Sequence, residues 1–123
     1  MKVFRDRREA GRALAVMLAV SFLLCLAAAL IVADKSDVHY SRVQNPIIET
    51  FDIHDRVNFS VQRSHLRVDT ENKSINLELT TDEKSASVME YFEIFLARML
   101  ISRRAADFLK CRFELVINGT RLV

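Results

Sequence analysis

Three histidines, two cysteines and a scatter of carboxylates are the side chains here with the chemistry for catalysis or metal binding, and their spacing gives them little to act on. A zinc site needs about four N, S or O donors brought together, usually in closely spaced pairs. His39, His54 and His65 stand at no such spacing from one another or from Cys111. Asp52-x-His54-Asp55 offers donors that would hold a metal only with help from elsewhere in the chain. The carboxylate pairs Asp82/Glu83 and Glu90/Glu93 fall in a stretch of helical periodicity, where such residues cap a helix or face water. Only Gly11 and Gly119 are glycines, so no Gly-rich loop can cradle a phosphate, and neither a nucleophile elbow nor His-Glu-x-x-His occurs. The expectation is a protein without catalytic, cofactor-binding or metal-ligating residues, and not an enzyme.

The cysteines follow from what surrounds them. Cys25 lies in the middle of an uncharged apolar run and Cys111 far beyond it. A disulfide needs its two Cα atoms within about 7 Å. The two are therefore not expected to pair within one chain, and Cys111 is left to sit reduced in a strand or to cross-link a second chain in an oxidising compartment.

The apolar run is the strongest signal. Residues 13–33 are 21 in number and carry no charge, and Ser21 is their single conventional polar side chain. About 20 such residues cross a hydrocarbon layer of about 30 Å as a helix, the form that satisfies every backbone group internally in lipid. Residues 1–12 hold Lys2, Arg5, Arg7, Arg8 and Arg12 against Asp6 and Glu9, a basic tail of roughly +3. Arg and Lys excess stays cytoplasmic. The organisation expected is a basic cytoplasmic tail at 1–12, a transmembrane signal anchor at 13–33, a linker at 34–46 and an extracytoplasmic domain at 47–123, periplasmic if the membrane is a bacterial inner membrane. Cleavage as a signal peptide, at Ala27–Ala29, is the alternative, although the run exceeds the usual 7–15 residue core of such peptides.

The rest of the chain is close to neutral, roughly −1, and so lacks the basic footprint that phosphate-backbone binding requires. Nucleic acid is excluded as a partner on that ground. The partners expected are the lipid bilayer and a protein in the same membrane, in a homo- or hetero-oligomer.

Beyond Pro46 the periodicity changes several times. Ile47, Glu49, Phe51 and Ile53 suggest a first strand. Val57, Phe59 and Val61 alternate cleanly, as a half-buried strand does, and Leu66 and Val68 resume out of phase, which a bulge near Ser64–His65 would absorb. Ile75, Leu77 and Leu79 form the next strand after the polar turn Asp69–Ser74. Thr80 and Glu83 have capping-box spacing. From there an apolar stripe, Val88, Tyr91, Phe92, Phe95, Leu96, Met99 and Leu100, predicts one long amphipathic helix over 81–109, with room for a kink at Ser102–Arg104. Cys111, Phe113, Leu115 and Ile117 return to period two, and Asn118-Gly119 is a strong hairpin signal. The fold class expected is α+β: a small antiparallel sheet of three to five strands packed on that helix.

A partner or an apolar ligand would meet Phe92, Phe95, Met99 and Phe113, the bulky residues where helix and sheet face each other. Asn58-Phe-Ser60, Asn72-Lys-Ser74 and Asn118-Gly-Thr120 are acceptor triplets for glycans in a eukaryotic lumen. Leu100-Ile-Ser-Arg-Arg-Ala-Ala-Asp-Phe-Leu109 resembles the Leu-Ser-x-x-Arg-Ala-x-x-Val helix of peptidoglycan-binding domains like that of outer-membrane protein A. That resemblance implies an envelope protein binding peptidoglycan. It covers these ten residues alone, and the Gly-His-Thr-Asp strand end that precedes the helix in that family is missing here. In plan the chain is similar to small single-pass accessory proteins that pair with a larger membrane protein through an outer domain. The function expected is therefore an anchored accessory subunit, with an apolar-ligand sensor and a peptidoglycan-binding envelope protein as alternatives.

Overall fold

The structure, a computed structural model, describes residues 6–122. Lys2 and Arg5 of the basic tail, and Val123, lie outside the described residues. A helix, α1, runs from Arg7 to Lys35. Asp6 caps it by accepting from Glu9 N–H at 2.8 Å. At 29 residues it is about 44 Å long and, over its apolar run, apolar enough to cross a membrane or to serve as a signal sequence. Two 3₁₀ turns, Tyr40–Arg42 and Ile48–Thr50, lead to a second helix, α2 (Ile53–Ser60). Then come strands β1 (Val61–Asp69) and β2 (Ser74–Thr81), a third helix α3 (Val88–Phe108), and strands β3 (Arg112–Ile117) and β4 (Thr120–Arg121).

The protein is thus α+β, with one four-stranded sheet in the order β1-β2-β3-β4. The sheet is mixed, which corrects the expectation of an antiparallel one: β2 and β3 run parallel, while the outer pairs are antiparallel. The cause is α3. Its 21 residues extend about 31 Å and return the chain to the end from which β2 began, so the next strand must run the same way. Leu66, Leu77 and Leu115 stand side by side across three strands, and this face carries the core. Leu77 and Leu115 are wholly buried, with Phe95, Tyr91, Met99, Phe113 and Ile117 in the same cluster. The opposite face is polar: Glu114 meets Arg121 at 3.0 Å, and Arg67 meets Glu78 at 3.4 Å.

Other differences from the sequence reading have local causes. No strand forms at 47–53, where Asn45 and Thr50 side chains bond each other and the backbone of a tight turn. Val57 and Phe59 belong to α2, which Asp52 caps by accepting from Asp55 N–H at 2.8 Å. Ile53 and Val57 lie four apart as well as in the alternating set, and over eight residues either period fits. The bulge falls between Val61 and Arg63, earlier than the phase change suggested. Thr80 and Thr81 complete β2 instead of opening a helix, because the ladder to β1 and the Asn118 side chain hold them. The working capping box is Ser87/Glu90, with both reciprocal bonds present at 3.2 and 2.9 Å. α3 continues through Ser102–Arg104 without a break.

Residues 34–46 do not hang free as a spacer. Val38 is wholly buried, and His39 Nε2 donates to the Gln62 carbonyl at 3.2 Å.

α3 ends in a Schellman motif: Cys111 N–H donates to Ala106 O and Lys110 N–H to Asp107 O, both at 2.9 Å. Lys110 occupies the left-handed position (φ 58) that usually belongs to glycine. Lys110→Gly is expected to stabilise the protein by about 1 kcal/mol. Urea unfolding of the two chains checks this.

Candidate interaction surface

The four residues singled out for contact, Phe92, Phe95, Met99 and Phe113, do come together, three of them as core. Phe95, Met99 and Phe113 are buried, and Phe92 packs half-buried against them. Tyr91 stacks on Phe95 at 5.2 Å and donates its hydroxyl to Met99 Sδ at 3.6 Å. Burial pushes that hydroxyl's pKa up. What faces outward is a cleft of about 100 Å³ lined by Phe92, Leu96, Met99, Leu100, Arg103 and Phe113. Cys111 is half-buried, its free thiol 3.5 Å from the Leu109 carbonyl, and Cys25 lies exposed on α1.

The histidines stay apart, and among the described residues no three His, Cys, Asp or Glu side chains gather as metal ligands. His39 braces the chain against Gln62, while His54 lies in α2 and His65 in β1. The three triplet asparagines each use their amide as a donor within the fold: Asn58 to the His54 carbonyl, Asn72 to Asp69 and Asn118 to Thr81. In the stretch Leu100–Leu109, Ser102, Ala105 and Ala106 are buried, so the small residues shared with the peptidoglycan-binding helix serve packing.

Glu90 is the clearest electrostatic device. It accepts from Ser87 N–H and pairs with Arg56 of α2 at 3.0 Å, joining two helices. The Ser87 N–H first, then the Arg56 guanidinium, hold its carboxyl below the ordinary 4.5. A lowered carboxylate pKa adds stability above the unfolded value and loses it as pH falls through the folded one. The stability difference between wild type and Glu90→Gln is therefore expected to be largest near neutral pH and to close at pH well below 4.5, as urea midpoints across pH would record.

Two further surfaces could not be located from the sequence, although a sheet edge or one side of the long helix was the kind of surface expected to meet a partner. The first is the free edge of β1. His39 covers its start at Gln62, but from Arg63 onward it borders no other strand among the described residues, and Leu66 and Val68 are 40% and 65% exposed. Leu66 and Val68 share an apolar groove of about 350 Å³ with Ala29 and Val32 of α1, Ile75 and Leu109. Alternation of apolar and polar residues along a strand gives no hint that it lies at an edge. The second is a seam between α1 and α3. Leu24, Ala27, Ala28 and Ile31 lie along Ile101, Arg104, Ala105 and Phe108, and Arg98 donates to the Asp34 carbonyl at 2.9 Å. Ala28 and Ala105 are both buried. Small residues let two helices approach closely, a signal visible in the sequence of α1 that did not point to its partner.

Fold and surfaces together define a small α+β protein whose N-terminal helix is long and apolar enough for one membrane span or signal anchor. No family model, curated protein or solved structure matches the chain.

Proposed function

We propose that this is a non-enzymatic, single-pass membrane protein whose outer domain docks on a partner protein in the same membrane, as an assembly, stabilising or regulatory subunit. The observation that carries the reading is α1. Leu14, Leu18, Phe22 and Leu23 stand 58–71% exposed along the uncharged run 13–33 of this helix, with Val16, Met17, Val20 and Leu24 exposed beside them. Water does not tolerate an apolar surface of that extent on a lone chain, and lipid is the solvent that suits it. The arginines at its start favour an orientation with the N-terminus in the cytoplasm and the folded part outside.

The partner surface assigned under this reading is the β1 edge. Unpaired strand groups from Arg63 to Val68 accept a strand of another chain, and the exposed Leu66 and Val68 add apolar contact beside it. Sharing a membrane with the partner raises its effective concentration and lets a modest interface suffice. The test is a photo-crosslinking residue at Val68 in intact membranes, with one at Glu83 as control. A discrete adduct at Val68, absent at Glu83 and abolished by Leu66→Asp, is the expected result. Equal labelling at both positions, or none at either, would discard the reading.

A further inference from the structure

The seam between α1 and α3 conflicts with a full membrane crossing, and the conflict is arithmetic. Crossing about 30 Å of hydrocarbon takes about 20 residues. The seam occupies α1 from Leu24 onward. Residues 13–23 remain, about 16 Å of helix, roughly half of what is required. The seam residues of α3 cannot follow α1 into lipid. Arg103, Arg104, Asp107 and Lys110 are exposed around them, and each charge at mid-bilayer costs on the order of 3 kcal/mol or more. The polar turn between Asp69 and Ser74 lies at the same end of the sheet, since Ser74 pairs with Arg112 just past α3.

We infer that the outer half of α1 has two mutually exclusive beds, the flank of α3 and the bilayer, and that membrane thickness decides between them. This rests on the reading of α1 as a span. In the docked form Ala28 and Ala105 are buried in the seam, and Arg98 holds Asp34. In the spanning form residues 24–33 enter lipid, and the chain bends where α1 ends, at Ser36. Val38, wholly buried, keeps the following segment on the domain in both forms. Release bares Ala105 and completes the exposure of Ile101 and Phe108, already half open, next to Arg103, Arg104 and Lys110, an apolar strip with a cationic border that suits the lipid headgroup layer. A thin bilayer favours docking because the shortened span matches it; a thick one draws α1 off α3.

The test is oxidative cross-linking of Ala28→Cys with Ala105→Cys in the full chain carrying Cys25→Ser and Cys111→Ser. The protein is reconstituted in dimyristoleoyl (thin) and dierucoyl (thick) phosphatidylcholine vesicles. The cross-linked fraction is expected to fall about tenfold from thin to thick, because mismatch costs fractions of a kcal/mol per Å. A second pair, His65→Cys with Glu78→Cys, bridges β1 and β2 in register and should cross-link equally in both, reporting a folded domain. Hydrogen exchange of the unaltered chain provides an independent readout: amides 101–108 should be better protected in the thin bilayer. Cross-linking and protection indifferent to thickness, in protein that resists carbonate extraction, would overturn the inference alone. Protein that carbonate strips from both vesicles would overturn the membrane reading and this inference with it.

Discussion

Leu77→Ala is expected to lower the melting temperature of the domain by about 10–30 °C. Leu77 is wholly buried at the centre of β2, with Leu66 on one neighbouring strand and Leu115 on the other. Removing three carbons from such a position costs about 2–5 kcal/mol, the lost transfer energy plus the cavity left behind. A domain of this size has a total of only about 5–15 kcal/mol to lose. No disulfide limits the unfolded chain, since both cysteines are free. The site has little freedom to collapse, because β2 is bonded on both edges and Leu115 beside it is also wholly buried. The upper half of the range is therefore the expected one. Leu96→Ala, at a half-exposed position on α3, should change stability by no more than about 0.5 kcal/mol. Thermal melts of the two variants measure the contrast; similar losses in both would mean that the core is not where Leu77 lies.

How much of this was legible in the sequence depended on the length of each signal. The 21 uncharged residues of α1 and the stripe from Val88 to Leu100 are long enough to admit one period, and both became helices. Asn118-Gly119 states its own backbone: both residues take positive φ, 51° and 84°, as a two-residue hairpin turn requires. Short signals failed. Ile53, Val57 and Val61 satisfy a helix as well as Val57, Phe59 and Val61 satisfy a strand. Ser87-x-x-Glu90 and Thr80-x-x-Glu83 are the same capping pattern seven residues apart, and only the ladder that claims Thr80 separates them. The turn at Asp69–Ser74 and the helix end near 109 were legible from their polar residues, but not their left-handed backbone, because lysine stands where glycine would have marked it, Lys73 at φ 50 and Lys110 at φ 58. The candidate surface was the least legible. Phe92, Phe95, Met99 and Phe113 attract notice as large apolar residues, yet that size is what fills the core. The edge of β1 and the α1–α3 seam are relations between segments, and no local window of sequence holds them.

The second large effect concerns α1, and its sign is opposite for the two solvents the helix could occupy. Phe22→Arg together with Leu23→Arg places two charges at the middle of residues 13–33, each on the exposed side of the helix at about two-thirds exposure. In water these changes would be nearly neutral or would improve solubility, because neither side chain is part of the core. In lipid each replaces a favourable contribution with a penalty near the helix centre, about 3 kcal/mol apiece on insertion scales. With residues 13–33 all in lipid, both charges sit at a depth where snorkelling to either interface is hardest. The double variant is therefore expected to lose stable membrane integration and to be recovered in the carbonate-soluble fraction, whereas the wild type remains in the pellet. The folded domain should be unaffected, since the substituted positions lie before Leu24, where the seam with α3 begins. Its melting curve provides that comparison. A double variant that partitions like wild type would mean that hydrocarbon never surrounds residues 22 and 23. The orientation, the partner edge and the thickness-dependent seam would then all lose their common premise.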